Sequence, residues 1–274
     1  MRMKIKQAKK YIKFVLFVAA LIQISGCTPA ADRLYNEAYA EIEKGHFRIA
    51  VDLLEKSANL EKKNPLKNKH LIEAARIARF EIQDYDRSIR IYRSIVLGAE
   101  EVDQRISSQG AISEIYLENL QSYGLALKEL QILEPLIKDE AEKEKIKFRI
   151  SQAHYLTGDN QQAIEEINNS LKTSKDETLN FLKLKAQVLI AEKKYKEAIQ
   201  SYNEILTKDS KFFQDENLYI AVSVVYEENE EYKEALEYLT KHEKQIKDKA
   251  YFELRYKRLK ERFANKPLFK GRRK

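Results

Sequence analysis

The stretch "KYKEAI" at residues 194–199 returns almost unchanged as "EYKEAL" at residues 231–236. Looser copies read "GHFRIAV" at 45–51, "DYDRSI" at 84–89, "SYGLAL" at 122–127 and "GDNQQAI" at 158–164. Each copy places a small residue directly before an aliphatic one. The small residues are Ala50, Ser88, Ala126, Ala163, Ala198 and Ala235, with spacings of 38, 38, 37, 35 and 37. Six copies at such regular spacing predict a chain built from repeated structural units.

The residues around each small position are typical of two packed helices. An aromatic residue that can pack where the helices meet stands three positions earlier, at Phe47, Tyr85, Tyr123, Tyr195 and Tyr232. An apolar residue follows four positions later, at Leu54, Tyr92, Leu130, Ile167, Tyr202 and Leu239. This i, i+4 spacing predicts one buried stripe on the second helix of each unit. Gly45 and Gly158 fall in the predicted turns, where glycine adopts a positive φ at little cost.

With this pattern the chain resembles the tetratricopeptide-repeat (TPR) family, whose unit is a helix–turn–helix of about 34 residues. The resemblance covers residues 32–247 and implies an all-α, right-handed solenoid of about six repeats. It departs from the family pattern in lacking the common Trp and in placing Asn160 at the aromatic position of repeat 4. Because the last repeat of a solenoid exposes an apolar face, we expect residues 248–265 to form a capping helix.

Residues 1–26 have the pattern of a secretion signal. A segment with six Lys and Arg residues and no acidic residue is followed by the apolar run "FVLFVAALIQI" at 14–24. This run has 11 residues, whereas a helix needs about 20 to cross the hydrocarbon core. A basic segment before a short apolar run predicts a signal peptide that is removed from the mature protein.

"ISGC" at residues 24–27 resembles the lipobox of bacterial lipoprotein precursors. The resemblance implies cleavage after Gly26 and acylation of Cys27, the only cysteine, with fatty acids such as palmitate. Residues 27–31 would then be the lipidated amino terminus and a short linker. Thr28, which is not the Asp that retains such proteins at the inner membrane, favours the periplasmic face of the outer membrane in a Gram-negative host. The alternative is a free thiol behind an ordinary signal peptide.

The charge of the chain is concentrated at its two ends. The net charge is +7, but residues 1–26 contribute +6 and residues 266–274 contribute +5, which leaves −4 for residues 27–265. A slightly acidic body argues against nucleic acid as the main partner. We expect residues 266–274 to be a flexible basic tail, and contact of this tail with anionic lipid or another charged polymer is an alternative.

Motifs for catalysis are absent from the sequence. The four histidines fall in different repeats without metal-ligand spacing, and neither a phosphate-binding glycine loop nor a Gly-x-Ser-x-Gly motif occurs. We therefore predict no catalytic residue, no metal and no cofactor. The main hypothesis is a non-catalytic scaffold for envelope proteins or peptides, acting in the assembly of an outer-membrane or envelope complex. A cell-wall enzyme or enzyme activator with an unrecognised site is the competing hypothesis.

The family resemblance also implies where partners bind. First helices line the inner wall in this family and contact extended peptides or partner helices. Aligning the repeats on their small residues places the following on that wall: Tyr35, Tyr39, Phe148, Gln152, Tyr155, Lys183, Gln187 and Ile220. Some members clamp a peptide carboxylate with paired Lys and Asn, and only Lys183 with Gln187 echoes that pair here. The equal alternative is that several of these side chains only pack between repeats.

Overall fold

The computed structural model describes residues 29–265, and these residues form helices and turns without a β-strand. The lipobox with Cys27 and the basic tail at 266–274 lie outside the described residues. The α-helices of the described part are α1 (Ala30–Glu43), α2 (Phe47–Leu60), α3 (Asn64–Phe80), α4 (Tyr85–Gly98), α5 (Val102–Glu114), α6 (Tyr123–Leu133), α7 (Glu140–Leu156), α8 (Asn160–Leu171), α9 (Thr178–Ala191), α10 (Tyr195–Lys208), α11 (Ser210–Asp215), α12 (Leu218–Glu228), α13 (Tyr232–Lys241) and α14 (Lys249–Asn265). The predicted all-α class is confirmed.

The second helix of every unit begins at the predicted position. The helices α2, α4, α6, α8, α10 and α13 start at Phe47, Tyr85, Tyr123, Asn160, Tyr195 and Tyr232. All six small residues of the repeated phrase are fully buried, at 0% exposure, and the six apolar residues four positions later are also buried. The buried stripe predicted from the i, i+4 spacing is therefore present in each repeat, including repeat 4 with Asn160 at its start.

The turns before the six second helices share a residue in the left-handed conformation. A residue with positive φ stands two positions before each second helix, at Gly45, Gln83, Gln121, Gly158, Lys193 and Glu230. In four of these turns the next residue donates its N–H to the carbonyl five positions earlier, as His46 does to Glu41 at 2.9 Å. This is the left-handed ending of a helix in which a 6→1 bond satisfies a free carbonyl. The sequence revealed only the two positions where the residue is glycine.

Residues 29–115 and 116–265 form two compact units. In the first unit each helix from α1 to α5 contacts the next one along the chain. In the second unit, contacts run from α6 through α7, α8 and α9 to α10, and then from α10 to α12, α13 and α14. Packing of each helix mainly on its neighbours in the chain is the organisation expected of a repeat array.

The last helix, α14, closes the second unit. Its side chains Phe252 and Leu259 are buried in the same core as Leu239 of α13. The buried carboxylate of Glu227 on α12 pairs with Arg255 and, at 2.5 Å, with Nη1 of Arg262, both on α14. Apolar contact and a charged pair thus hold α14 on the array. Between residues 29 and 265, the structure contains no helix with the length and apolarity needed to cross a bilayer.

Candidate protein-binding surfaces

In the first unit, two tyrosines one helical turn apart on α1 form a joined pair. The Tyr35 hydroxyl donates to the Tyr39 hydroxyl at 3.1 Å, and their ring centroids lie 4.9 Å apart. The Nζ of Lys69 on α3 lies 5.7 Å from the centroid of the Tyr35 ring. Tyr39 is 41% exposed. These three residues are termed the tyrosine surface, and they offer aromatic faces beside a positive charge.

The environment of Tyr39 keeps its phenol neutral. The hydrogen bond with Tyr35, partial burial and the nearby Glu73 carboxylate together raise the pKa of Tyr39 to about 12. A neutral phenol both donates and accepts hydrogen bonds. At neutral pH this side chain therefore suits peptide amides and carbonyls as ligands.

The tyrosine surface stands on a buried polar support. Tyr35 stacks on His70 with ring centroids 4.3 Å apart. The Ser57 hydroxyl donates to the carbonyl of Ala31 at 2.6 Å, so its oxygen accepts from Nδ1 of His70 at 3.0 Å. Burial lowers the pKa of His70, which favours the neutral ring. His70 is therefore a structural histidine that fixes the position of Tyr35.

In the second unit, α7 and α9 contact each other at one of the predicted wall residues, Phe148. Phe148 meets the buried Phe181 of α9 edge to face, with centroids 5.6 Å apart. Gln152 and Tyr155 follow Phe148 at i+4 and i+7 on α7, which places all three on one helix face. They are half-buried, while Gln187 on α9 is exposed. Together with Lys183 they are termed the α7–α9 surface.

Lys183 is engaged within the protein. Its Nζ contacts Oε2 of Glu216 at 2.8 Å and lies 5.9 Å from the ring centroid of Phe212. A peptide carboxylate at Lys183 would have to displace Glu216. The α7–α9 surface therefore presents aromatic and amide groups beside a neutralised ion pair, and the pairing with Glu216 works against a carboxylate clamp.

Ile220, the last of the predicted wall residues, is buried. It is 8% exposed and belongs to the core of the second unit on α12. The first half of repeat 6 is divided into α11 and α12 by Asn217, which has a φ of 53°. An alignment that treats this segment as one helix cannot locate the break, and it also misses Phe212 and Glu216 as neighbours of Lys183.

In the part of the chain from 29 to 265, the structure contains no group of three His, Cys, Asp or Glu side chains that could hold a metal ion. Both surfaces offer exposed and half-buried side chains on first helices, held in place by packing beneath them.

Comparison with known proteins gives the same architecture. The family model for subunit 3 of the anaphase-promoting complex, or cyclosome, matches residues 128–205. The crystal structure of a tetratricopeptide repeat protein from Parabacteroides merdae has a TM-score of 0.60 and 17% identity, covering 86% of this chain and 88% of that chain. This chain has the TPR fold.

A second structural neighbour is the crystal structure of a MamA protein, with a TM-score of 0.53 and 16% identity over 68% of this chain and 95% of that chain. At these identities the likeness concerns the fold alone. No curated protein sequence matches the chain significantly.

Proposed function

We propose that the protein is a non-catalytic, membrane-anchored scaffold that binds protein partners in the bacterial cell envelope. The observation that carries the proposal is the α7–α9 surface, where Phe148 on α7 contacts Phe181 on α9 and where Gln152, Tyr155 and Gln187 lie on the same two first helices. Aromatic rings supply contact area, and the amides supply hydrogen bonds to a peptide backbone. Because the surface is formed before binding, little ordering of the scaffold opposes association.

The anchoring part of the proposal rests on the sequence "ISGC" and the apolar run before it. Several acyl chains on Cys27 would hold the protein on a bilayer, since each buried CH₂ contributes about 0.8 kcal/mol. Confinement to a membrane surface raises the effective concentration near partners on the same membrane. With Thr28 after Cys27, the proposed site is the periplasmic face of the outer membrane of a Gram-negative host.

Anchoring is tested by metabolic labelling of the full chain with palmitate, followed by detergent-phase partition. The expected result is labelling and partition into the detergent phase, both lost in Cys27→Ala. If Cys27→Ala remains labelled and still enters the detergent phase, the anchor is not at this residue.

Partner binding is tested with two matched pairs of glutamines. Gln152→Ala with Gln187→Ala alters first helices, while Gln161→Ala with Gln200→Ala alters exposed positions on the second helices α8 and α10. Crosslinking in the native host should recover less partner with the first pair and an unchanged amount with the second. Equal recovery from both variants would contradict binding on the α7–α9 surface.

A further inference from the structure

The first described residue lies close to the proposed lipid anchor. Only Thr28 lies between Cys27 and Pro29, so the chain can span at most about 7 Å between their Cα atoms. Helix α1 begins at the next residue, Ala30. If Cys27 is acylated as proposed above, the end of the first unit that contains Ala30 lies at the bilayer. The inference below rests on that proposed anchor.

Two hydrogen bonds show which other residues share this end. The Ser57 hydroxyl, near the end of α2, donates to the carbonyl of Ala31 at 2.6 Å. Asn64 at the start of α3 donates from Nδ2 to the carbonyl of Gly98, the last residue of α4, at 2.9 Å. The connection between α2 and α3 therefore lies beside the first turn of α1.

The end of α2, the connection and the first turn of α3 together combine exposed apolar and basic side chains. Residues 60–67 read "LEKKNPLK", and we term them the lysine loop. Leu60 is 53% exposed and Leu66 is 40% exposed. The three lysines of the loop are Lys62, Lys63 and Lys67, and all are exposed. Apolar side chains next to lysines are the combination that binds the interface of an anionic membrane.

The Nζ atoms of these lysines make no salt bridge among the described residues, while the Glu61 carboxylate of the same segment accepts from the backbone N–H of Lys63 at 2.8 Å. The opposite end of the same helices is different. There, the Glu41 carboxylate contacts Nζ of Lys44 and Nδ1 of His46, each at 2.7 Å. The ammonium groups at the end near the anchor are thus not engaged in ion pairs, and this end also carries the carboxylates of Glu61 and, close to Gly98 in the chain, of Glu100 and Glu101.

We propose that the lysine loop contacts anionic lipid headgroups beside the acylated Cys27. The lysines neutralise phosphate groups, and Leu60 and Leu66 enter the headgroup region. Helix α1 then leads away from the anchor, and Tyr39 lies nine residues beyond Ala30, about 13 Å along the helix axis. The tyrosine surface would be held within reach of partners in or on the same membrane.

The experiment uses the full, lipidated chain in phosphatidylglycerol–phosphatidylethanolamine vesicles, with an environment-sensitive fluorophore on a single engineered thiol. Because Cys27 is consumed by the lipid, only the new cysteine reacts. Leu66→Cys reports from the lysine loop, and Glu81→Cys reports from the opposite end of α3. We expect a blue shift at position 66 and none at 81, with the shift lost in vesicles of phosphatidylcholine alone.

A second set of variants tests whether the shift depends on the lysines of this loop or only on the total charge of the protein. Adding Lys62→Glu, Lys63→Glu and Lys67→Glu should abolish the shift at position 66. The same change of charge at the exposed Lys193, Lys194 and Lys196 should leave it intact. An absent shift at 66, or an equal shift at 81, overturns the proposal. Missing palmitate label on the full chain overturns the anchor itself, whereas label without a shift at 66 overturns the lysine loop alone.

Discussion

The Glu144 carboxylate on α7 accepts a 2.9 Å hydrogen bond from the backbone N–H of Lys175, in the connection that leads to α9. The same carboxylate accepts from the Ser174 hydroxyl at 2.9 Å and from the N–H groups of Asp176 and Glu177. One side chain of repeat 4 thereby satisfies donors just before the first helix of repeat 5. Those donors would otherwise depend on water.

Glu144→Gln should therefore destabilise the second unit. Loss of the charge removes the charge-assisted part of several hydrogen bonds, and we expect a decrease of about 1–2 kcal/mol in the free energy of unfolding. Urea denaturation of residues 28–274 at pH 7 measures it. The matched control is Glu142→Gln, because Glu142 makes only an exposed contact with Lys145 at 2.7 Å, and its loss should matter little. Equal effects of the two substitutions would refute this role.

The contribution of Glu144 should depend on pH. Burial alone would raise the pKa of Glu144, but the hydrogen bonds from Lys175, Glu177, Ser174 and Asp176 outweigh it and hold the pKa below its usual value of 4.5. A carboxylate with a lowered folded-state pKa stabilises the protein above its unfolded-state pKa. The difference between the native chain and Glu144→Gln should thus be full at pH 7 and shrink below about pH 4.5. Repeating the urea titrations from pH 7 to 3 measures this, and a constant difference would contradict it.

At the turn residues with positive φ, introducing glycine should raise the stability of the protein and removing glycine should lower it. Lys193 has a φ of 58°, so Lys193→Gly should stabilise by about 0.5–1 kcal/mol by relieving backbone strain. Gly158 has a φ of 85° and open space where a methyl group would be added, so Gly158→Ala should cost about 1 kcal/mol through the backbone alone. Gly124 lies within α6, where Ala is the better helix former, so Gly124→Ala should stabilise. Thermal unfolding checks the signs, and destabilisation by Lys193→Gly would contradict the turn assignment.

The stability of the protein should be sensitive to the size of the side chain at the small position of each repeated phrase. Ala198 is fully buried between the helices of repeat 5, so Ala198→Leu should overpack this contact and cost about 1–3 kcal/mol. Ala191 is exposed at the end of α9, and Ala191→Leu should be nearly neutral. Urea denaturation followed by circular dichroism compares the two variants. A neutral Ala198→Leu would mean that close helix approach is not required there.

Attachment of α14 should depend on Glu227. Removing one partner of a buried ion pair leaves uncompensated charge. We therefore expect Glu227→Ala to lower the free energy of unfolding by about 3–5 kcal/mol, in part because α14 is held less firmly on the array. Arg262 is more exposed than Arg255, and Arg262→Ala should have a smaller effect. Amide hydrogen exchange should show faster exchange across α14 in Glu227→Ala than in Arg262→Ala. Unchanged protection of α14 in Glu227→Ala would contradict this role.

Sequence periodicity was sufficient to predict the core of each repeat. The burial of Ala198 and Tyr202 follows from their fixed spacing in the repeated phrase, because an i, i+4 pair on a helix must face one side. The turn at Lys193 could not be predicted in this way, because any residue can be held in a left-handed conformation when the surrounding helices require it. Gly158 was recognisable because glycine is the residue type that marks such positions.

Contacts between repeats could not be predicted from the sequence alone. The bond between Glu144 and the N–H of Lys175 joins residues 31 positions apart and leaves no local pattern. The pair Lys183–Glu216 is hidden for the same reason, so Lys183 appeared in the sequence as a free cation. Ile220 was assigned to the surface because the break at Asn217 has no signal in the repeat spacing.

The central claim, that protein partners bind along the first helices, is tested most directly by site-specific photocrosslinking in the native host. A photoreactive amino acid is placed at Gln187 on α9 or at Gln200 on α10, two exposed glutamines of the same repeat. The account predicts a crosslinked protein partner in the membrane fraction from position 187 and none from position 200. Crosslinking from position 200 alone, or equally from both positions, would contradict it.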